Sequence, residues 1–233
     1  MSTSLLIDIR KTLRSSSGQF ELNLQFRSTS QRIVIFGPSG AGKSLLLKTI
    51  AGLEQPDEGV IELGDTCFFN SQSRINLAPQ ARKIAYLFQD YALFPHLTVR
   101  QNVSFALRTG WFNPSAKQRF AAVDYWLDAF ELQHLADQYP AQLSGGQRQR
   151  TALARALVLE PRALLLDEPF AALDPDLRSQ MRQELDALQR RLAVPMILIT
   201  HDQQDAIALG EHLVCLRGGK IDAGQGGFCL PKN

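Results

Sequence analysis

The sequence predicts an α/β fold built on a mostly parallel sheet, and three observations carry that expectation. Short apolar runs rich in branched residues, at positions 33–36, 163–166 and 196–200, alternate with stretches of helical spacing. Each buried run ends in a polar or glycine-rich segment, which suits ligands held at the carboxyl ends of parallel strands. The run at 33–36 also passes directly into F-G-P-S-G-A-G-K-S, after which Leu45, Leu46, Leu47, Ile50 and Leu53 recur at helical spacing. A strand, a glycine loop and a helix therefore follow one another without a break.

Within that loop Gly37, Pro38, Ser39, Gly40, Ala41, Gly42, Lys43 and Ser44 fit G-x-x-x-x-G-K-[ST]. Glycine accepts positive φ and lets the backbone approach a ligand closely. Successive N–H groups at the positive end of a helix dipole make a cradle for phosphate oxygens. In such a cradle Lys43 would reach the outer phosphates and the Ser44 hydroxyl would bind Mg²⁺. The loop reads as a nucleotide site.

From the amino end, residues 5–9 and 20–26 read as strands, the second with Phe20, Leu22, Leu24 and Phe26 inward. Ser15-Ser16-Ser17-Gly18 between them forms a turn, consistent with a hairpin. The glycine-loop helix ends near Gly52. Residues 60–63 form a further short strand, 66–80 are polar and irregular, and 83–89 read as a buried strand. Helical spacing follows at 99–108, 115–130 and 132–138, with breaks at Asn113-Pro114 and Tyr139-Pro140 and with Ser115 as N-cap of the second helix. The strand at 163–166 precedes an amphipathic helix whose stripe is Leu177, Met181, Leu185, Leu188 and Leu192. After the strand at 196–200, residues 213–216 and 220–221 flank an Arg-Gly-Gly turn. The chain beyond Gly224 shows no periodicity.

Composition excludes several classes. The 233 residues suit one large domain or a core with a subdomain, and a hydrophobic fraction of 45% is that of a folded protein. A formal charge of +2 advertises neither nucleic acid nor anionic lipid. Cys67, Cys215 and Cys229 lack close spacing and read as reduced thiols, and the four histidines form no zinc pattern. No secretory signal opens the chain, and no apolar run approaches the ~18 residues of a membrane span.

Two further segments carry chemistry. Asp167 and Glu168 close the strand at 163–166, where one carboxylate is placed to hold Mg²⁺ and its neighbour to orient or deprotonate a water. In Leu143-Ser144-Gly145-Gly146-Gln147, Ser144 and Gln147 have the spacing of a capping box. The two glycines at that helix start would also present N–H groups to an anion.

Taken in order, these motifs resemble those of ATP-binding cassette (ABC) ATPases nearly end to end. A Walker A loop runs from Gly37 to Ser44, a Q-loop stands at Gln89 and the signature covers Leu143 to Gln147. Walker B ends at Asp167 beside Glu168, a D-loop spans Ala172-Leu173-Asp174, and His201 takes the place of the switch histidine. The resemblance implies a P-loop NTPase core with an amino-terminal antiparallel β subdomain and an α-helical signature subdomain. The core would cover 1–89 and 158–233 and the helical part 90–157, without a carboxyl-terminal regulatory domain. It also implies ATP and Mg²⁺ as cofactors and a head-to-tail homodimer of cassettes. Ser144, Gly145, Gly146 and Gln147 of one copy would then meet the γ-phosphate held by the other, with Asp174 beside it. Glu168 would act on the attacking water, His201 would hold that water in line, and Ser44, Gln89 and Asp167 would serve the metal. The family's amino-terminal adenine-stacking aromatic has no match between Lys11 and Ser17, and Phe20 is read chiefly as core.

The stretch from Tyr91 to Val99 (Y-A-L-F-P-H-L-T-V) is similar to the segment by which bacterial importers meet a transmembrane permease. The chain is thus expected on the cytoplasmic face of the membrane as a peripheral subunit, served indirectly by a solute-binding protein. Asn76 to Gln80, followed by Arg82-Lys83-Ile84, resembles molybdate or tungstate importers. Thiamine, sulfate and iron importers, and export or lipoprotein-release systems, are alternatives. A cassette acting on nucleic acid is the remote one, because Arg148, Arg150 and Arg155 lie on a helix without interleaved aromatics.

Overall fold

The computed structural model describes residues 4–15, 18–107, 113–115, 118–171 and 173–222. Ser16, Ser17, Ala172, Cys229 and the tail beyond Gly224 therefore lie outside the described residues.

The chain opens with two long strands, β1 (Leu5–Ser15) and β2 (Gly18–Ser28), paired antiparallel as the hairpin pattern predicts. Both extend beyond the expected limits because their polar ends still satisfy the ladder. Leu5, Ile7 and Ile9 on β1, and Leu22 and Leu24 on β2, are buried on one face, and polar residues alternate on the other. Strand β3 (Arg32–Phe36) leads through the glycine loop into helix α1 (Lys43–Ala51), which ends at Gly52 with φ 81°. Strands β4 (Glu58–Leu63), β5 (Thr66–Asn70) and β6 (Ile75–Asn76) complete a five-stranded sheet of order β2-β1-β4-β5-β6. The expected irregular stretch at 66–80 is thus two strands and one short helix, α2 (Pro79–Arg82). Its strands escaped notice because Asn and Ser interrupt the apolar alternation.

Arg82, on α2, is completely buried. Its guanidinium donates to the carbonyls of Leu77 (2.9 Å), Thr49 (2.7 Å) and Ile50 (2.8 Å) and to Asn76 Oδ1 (3.1 Å). Two of those carbonyls belong to the last turn of α1, where backbone acceptors are otherwise left over. The cation is therefore a built-in cap for that helix. A side chain at Gly52 would collide with it, since a Cβ there would lie 2.7 Å from Arg82 Nε.

Strand β7 (Ile84–Leu87) follows, then α3 (Val99–Phe105), α4 (Ala121–Ala129) and α5 (Gly145–Leu157), the last preceded by two 3-10 turns at Gln133–Leu135 and Pro140–Gln142. Ser115 is not the N-cap of α4, which begins at Ala121 behind Phe120 with no side-chain cap. Helix α3 begins instead with a full capping box between Thr98 and Gln101. Then come β8 (Ala163–Asp167), α6 (Pro175–Leu192), β9 (Met196–Thr200), α7 (Gln203–Leu209), β10 (His212–Arg217) and β11 (Lys220–Ile221). The second sheet has the order β11-β10-β3-β9-β8-β7, parallel except for the terminal hairpin. Every residue of β8 and β9 is buried, as expected for parallel strands covered on both faces.

Alternate residues of this sheet feed two cores. Ile33, Ile35, Leu165, Ile197 and Ile199 pack with α1 and the antiparallel sheet. Val34, Leu164, Leu166 and Leu198 face the helices α3 to α6. Helix α6 is tied to the end of β9 by charge: Arg178 bonds Asp202 (2.9 Å), and Arg182 bonds Asp205 (2.9 Å), which also accepts from Thr200 Oγ1 (3.0 Å). The reduced-thiol expectation holds for Cys67, which is free, and fails for Cys215, which is in a disulfide. Among the described residues no helix is long and apolar enough to cross a membrane.

Candidate functional site

The parallel strand order brings the carboxyl ends of β3, β8 and β9 side by side, and the glycine loop, Asp167-Glu168 and His201 converge there. Gly42 precedes α1 with φ 99° and no side chain caps it, so the amide groups of the first helical turn stand open to an anion. Glycine is required at two points of the loop. A Cβ on Gly37 would sit 2.2 Å from the Leu216 carbonyl oxygen, and one on Gly42 would sit 2.9 Å from Leu22 and Phe20. Pro38, Ser39 and Gly40 form the exposed crown, while Ala41 is buried beneath it with its carbonyl accepting from the Gly219 N–H (3.0 Å). Phe20 is half-buried against this loop, in keeping with its reading as core.

Lys43 is folded over the loop. Its Nζ donates to the carbonyls of Gly37 (2.9 Å) and Pro38 (3.1 Å) and lies 3.4 Å from Glu168 Oε1. Ser44 Oγ donates to Asp167 Oδ1 at 3.0 Å, and Tyr86 donates its phenol proton to Asp167 Oδ2 at 2.9 Å. Burial, and secondarily the Asp167 charge, pushes the Tyr86 phenol far above its ordinary range, so it stays a proton donor. Glu168 takes positive φ, 47°, an uncommon backbone state for a side-chain-bearing residue. Its other carboxylate oxygen lies 2.9 Å from Nδ1 of the exposed His201. One carboxylate therefore bridges the loop lysine and the histidine.

The donor set fits a divalent cation held with a nucleotide. Mg²⁺ binds through one or two protein oxygens together with water and phosphate, and Ser44 and Asp167 supply a hydroxyl and a carboxylate already within 3.0 Å of each other. Gln89 stands exposed just past the end of β7, and among the described residues no hydrogen bond joins it to Ser44 or Asp167.

Ser144 caps α5 as its spacing predicts. Its Oγ accepts from Gln147 N (3.2 Å), and Gln147 Oε1 accepts from Ser144 N (2.9 Å). Gly145 and Gly146 lie against α6, where added Cβ atoms would meet Leu173 at 3.1 Å and Leu177 and Met181 at 3.3 Å. Asp174 caps α6 by accepting from Leu177 N (3.0 Å). No hydrogen bond or ion pair joins residues 144–147 to the glycine loop within one copy, among the described residues. The arginines of α5 are engaged inside the chain: Arg148 with the Leu143 carbonyl, Arg150 with Glu184, and Arg155 with the carbonyls of Tyr91 and Ala92.

The segment from Tyr91 to Val99 is narrower as a surface than its sequence suggests. Tyr91, Leu97 and Val99 are buried, with the Tyr91 hydroxyl donating to the Pro169 carbonyl at 3.2 Å. What faces outward is Ala92 to His96, with Phe94 stacked on Phe105 beneath the Arg155 guanidinium. Tyr86 and Arg82 escaped the sequence reading. For Tyr86 the sequence held no signal beyond its place on an expected buried strand; that this strand lies beside the strand of Asp167 comes from the sheet order alone.

A glycine cradle on a helix start, with a lysine, a hydroxyl and paired carboxylates at its mouth, defines a P-loop nucleotide-hydrolysing protein. The family described as ABC transporter matches residues 21–171. The chain is 44% identical to the probable sulfate/thiosulfate import ATP-binding protein CysA of Chlorella vulgaris, over 94% of this chain and 89% of that one. It is 38% identical to the molybdenum import ATP-binding protein ModC of Paramagnetospirillum magneticum, over 91% of this chain and 57% of that one. Several import ATPases it matches are longer, the chain spanning 62%, 61% and 53% of three others. The fold is shared with the ATP-binding cassette MJ0796, solved as a dimer in a post-hydrolysis state bound to ADP and Pi. There the TM-score is 0.75 at 30% identity, with 94% of this chain and 96% of that one covered. The chain belongs to the ABC transporter family, as an ATP- and Mg²⁺-binding ATPase cassette.

Proposed function

We propose that this cassette is the ATP-hydrolysing subunit of an importer for a small oxyanion, working as a head-to-tail pair on the cytoplasmic face of a membrane. The observation that carries the catalytic half is the Lys43–Glu168–His201 chain across the mouth of the glycine cradle. In this reading the loop from Gly37 to Ser44 wraps the phosphates, with Lys43 exchanging its two carbonyl contacts for phosphate oxygens. Glu168 orients and deprotonates the attacking water, and His201, held by Glu168, keeps that water in line with the γ-phosphate. Ser44 and Asp167 hold the metal, and Gln89 comes to it from the end of β7. Bound Mg²⁺ supplies charge neutralisation at the phosphoryl oxygens. Ser144 to Gln147, on an exposed helix start, close the site on the nucleotide of the partner copy, with Asp174 at the start of α6 beside them. The core would comprise 1–89 and 158–233 and the helical subdomain 90–157.

The outward face from Ala92 to His96 is the docking point for a permease, which receives its solute from a binding protein. The solute class rests on similarity. A sulfate/thiosulfate relative (44%, over 94% of this chain) is nearer in identity than a molybdenum one (38%), so sulfate stands ahead of the molybdate suggested by residues 76–84. A spermidine/putrescine relative, 45% identical over 84% of this chain, makes a polyamine the competing solute. Sulfate and molybdate are both tetrahedral oxyanions. The test is uptake of labelled sulfate and of labelled molybdate in cells lacking this gene, complemented with wild type or with Lys43→Ala. Loss of one uptake, restored by wild type alone, is expected. Unchanged uptake of both would overturn the oxyanion assignment.

A further inference from the structure

We propose that Tyr86 is a positioning residue for the Asp167 carboxylate and so sets how tightly the site takes a divalent cation together with its nucleotide. The proposal rests on the reading of Asp167 as a metal ligand given above. Asp167 is buried, at 8% exposure for the whole residue, and a buried carboxylate needs a donor on each oxygen. The structure gives it one hydroxyl on each: Ser44 on Oδ1 and Tyr86 on Oδ2. Ser44 stands on the nucleotide side, so the Oδ1 edge is the one that turns toward a cation. Tyr86 holds the opposite oxygen and fixes the rotation of the carboxylate plane.

The geometry behind that hold is rigid. Tyr86 pairs in register with Leu165, so its phenol reaches diagonally to the residue two places further along β8, on the same face of the sheet. Its ring is packed against the core around α1 and stacks on Phe88, with centroids 4.4 Å apart. Swinging the phenol away would require both contacts to break. A phenylalanine at 86 would keep the packing and remove only the donor. Partners that orient a metal ligand from behind commonly change metal affinity by about 10- to 100-fold when removed.

The experiment measures Mn²⁺ binding to the full chain at saturating ATP by electron paramagnetic resonance, and ATP affinity in EDTA. Tyr86→Phe should raise the half-saturating Mn²⁺ concentration about tenfold and leave ATP affinity in EDTA unchanged. Tyr86→Met, which keeps an apolar side chain there, should do the same. Phe88→Leu, which loosens the ring packing and keeps the phenol, should leave Mn²⁺ binding within about twofold of wild type. Asp167→Asn separates the two levels of the argument. If it weakens Mn²⁺ binding and the Tyr86 variants do not, the role of Tyr86 is overturned while Asp167 stands. If Asp167→Asn itself has no effect, the metal reading fails and this proposal with it. A parallel loss of ATP affinity in EDTA would make Tyr86 a structural residue and overturn the proposal.

Discussion

The Glu168 carboxylate lies 2.9 Å from Nδ1 of His201, although the two residues are 33 positions apart and sit at the ends of different strands. Glu168 takes φ 47°, an uncommon backbone state for a residue with a side chain, and its carboxylate also lies 3.4 Å from Lys43 Nζ. Its neutral isostere should therefore keep the position and lose the base. Glu168→Gln is expected to lower ATP hydrolysis by about 10²- to 10⁴-fold, the usual worth of a positioned acid–base group. ATP binding should survive, so an ATP-bound dimer should accumulate. Phosphate release and light scattering with ATP check both halves; a variant that hydrolyses normally excludes Glu168 as the base.

Lys43 satisfies its ammonium on the carbonyls of Gly37 and Pro38, and phosphate oxygens would replace both. Charge-assisted hydrogen bonds contribute about 1.5–3 kcal/mol each, so Lys43→Ala should weaken ATP binding at least tenfold and abolish hydrolysis. Equilibrium binding of a fluorescent ATP analogue measures the first effect. Unaltered affinity would remove Lys43 from the phosphate site.

Much of the site was legible because its parts are local. The strand, glycine loop and helix occupy one continuous stretch, and the capping box at Ser144 and Gln147 is fixed by a spacing of three residues. Asp167 was legible as the polar end of an apolar strand. What sequence could not supply was the meeting of separate strands, such as Tyr86 with Asp167, 81 positions apart. Arg82 was missed for a different reason. A cation within a polar stretch reads as solvated, and its burial is explained by the acceptors that surround it, the carbonyls of Thr49 and Ile50 at the end of α1 with the Leu77 carbonyl and Asn76 Oδ1. The surface at Tyr91 to Val99 was overdrawn because an apolar run does not say which residues point inward.

The burial of Arg82 makes a stability prediction. Arg82→Met keeps much of the stem and leaves the carbonyls of Leu77, Thr49 and Ile50 without this donor. The Thr49 carbonyl keeps the Gly52 N–H (3.2 Å), so two buried acceptors are left unpaired, and at about 1 kcal/mol or more for each the loss is about 2 kcal/mol. For a chain of this size that lowers the melting temperature by roughly 4–8 °C. A melting curve within 2 °C of wild type, on the order of half a kcal/mol, would show that water replaces the guanidinium and that the cap is dispensable.

Asp202 predicts a pH dependence. Burial raises its pKa, but the N–H groups of Gln204 and Asp205 and the Arg178 guanidinium outweigh burial and hold it below its ordinary 3.8. A carboxylate depressed by folding stabilises the fold above its unfolded-state pKa and loses that contribution as pH falls through the folded one. Asp202→Ala also removes the cap of α7, so the variant should be less stable than wild type by about 1–2 kcal/mol at pH 7. The deficit should be flat through neutral pH and shrink only below the ordinary carboxylate value. Urea unfolding of both proteins from pH 8 downward tests this; a gap that widens in acid would reverse the sign and exclude the mechanism.

Ser144 does two jobs in this account, and they can be separated. Its hydroxyl caps α5 in the structure, while its place beside the phosphate of a partner copy is proposed. Aspartate caps a helix about as well as serine, so Ser144→Asp should leave stability within about 0.5 kcal/mol of wild type. The same change puts a negative charge where the γ-phosphate of the partner would arrive, and like charges at that distance repel strongly in a closed interface. Turnover should fall at least tenfold, with ATP affinity of the isolated cassette near normal because its own cradle is untouched. Ser144→Arg should also stop turnover, by filling the gap between copies, but at some cost to the cap. If Ser144→Asp hydrolyses ATP like wild type under conditions where wild type forms a dimer, the conserved stability shows that Ser144 is a cap and nothing more.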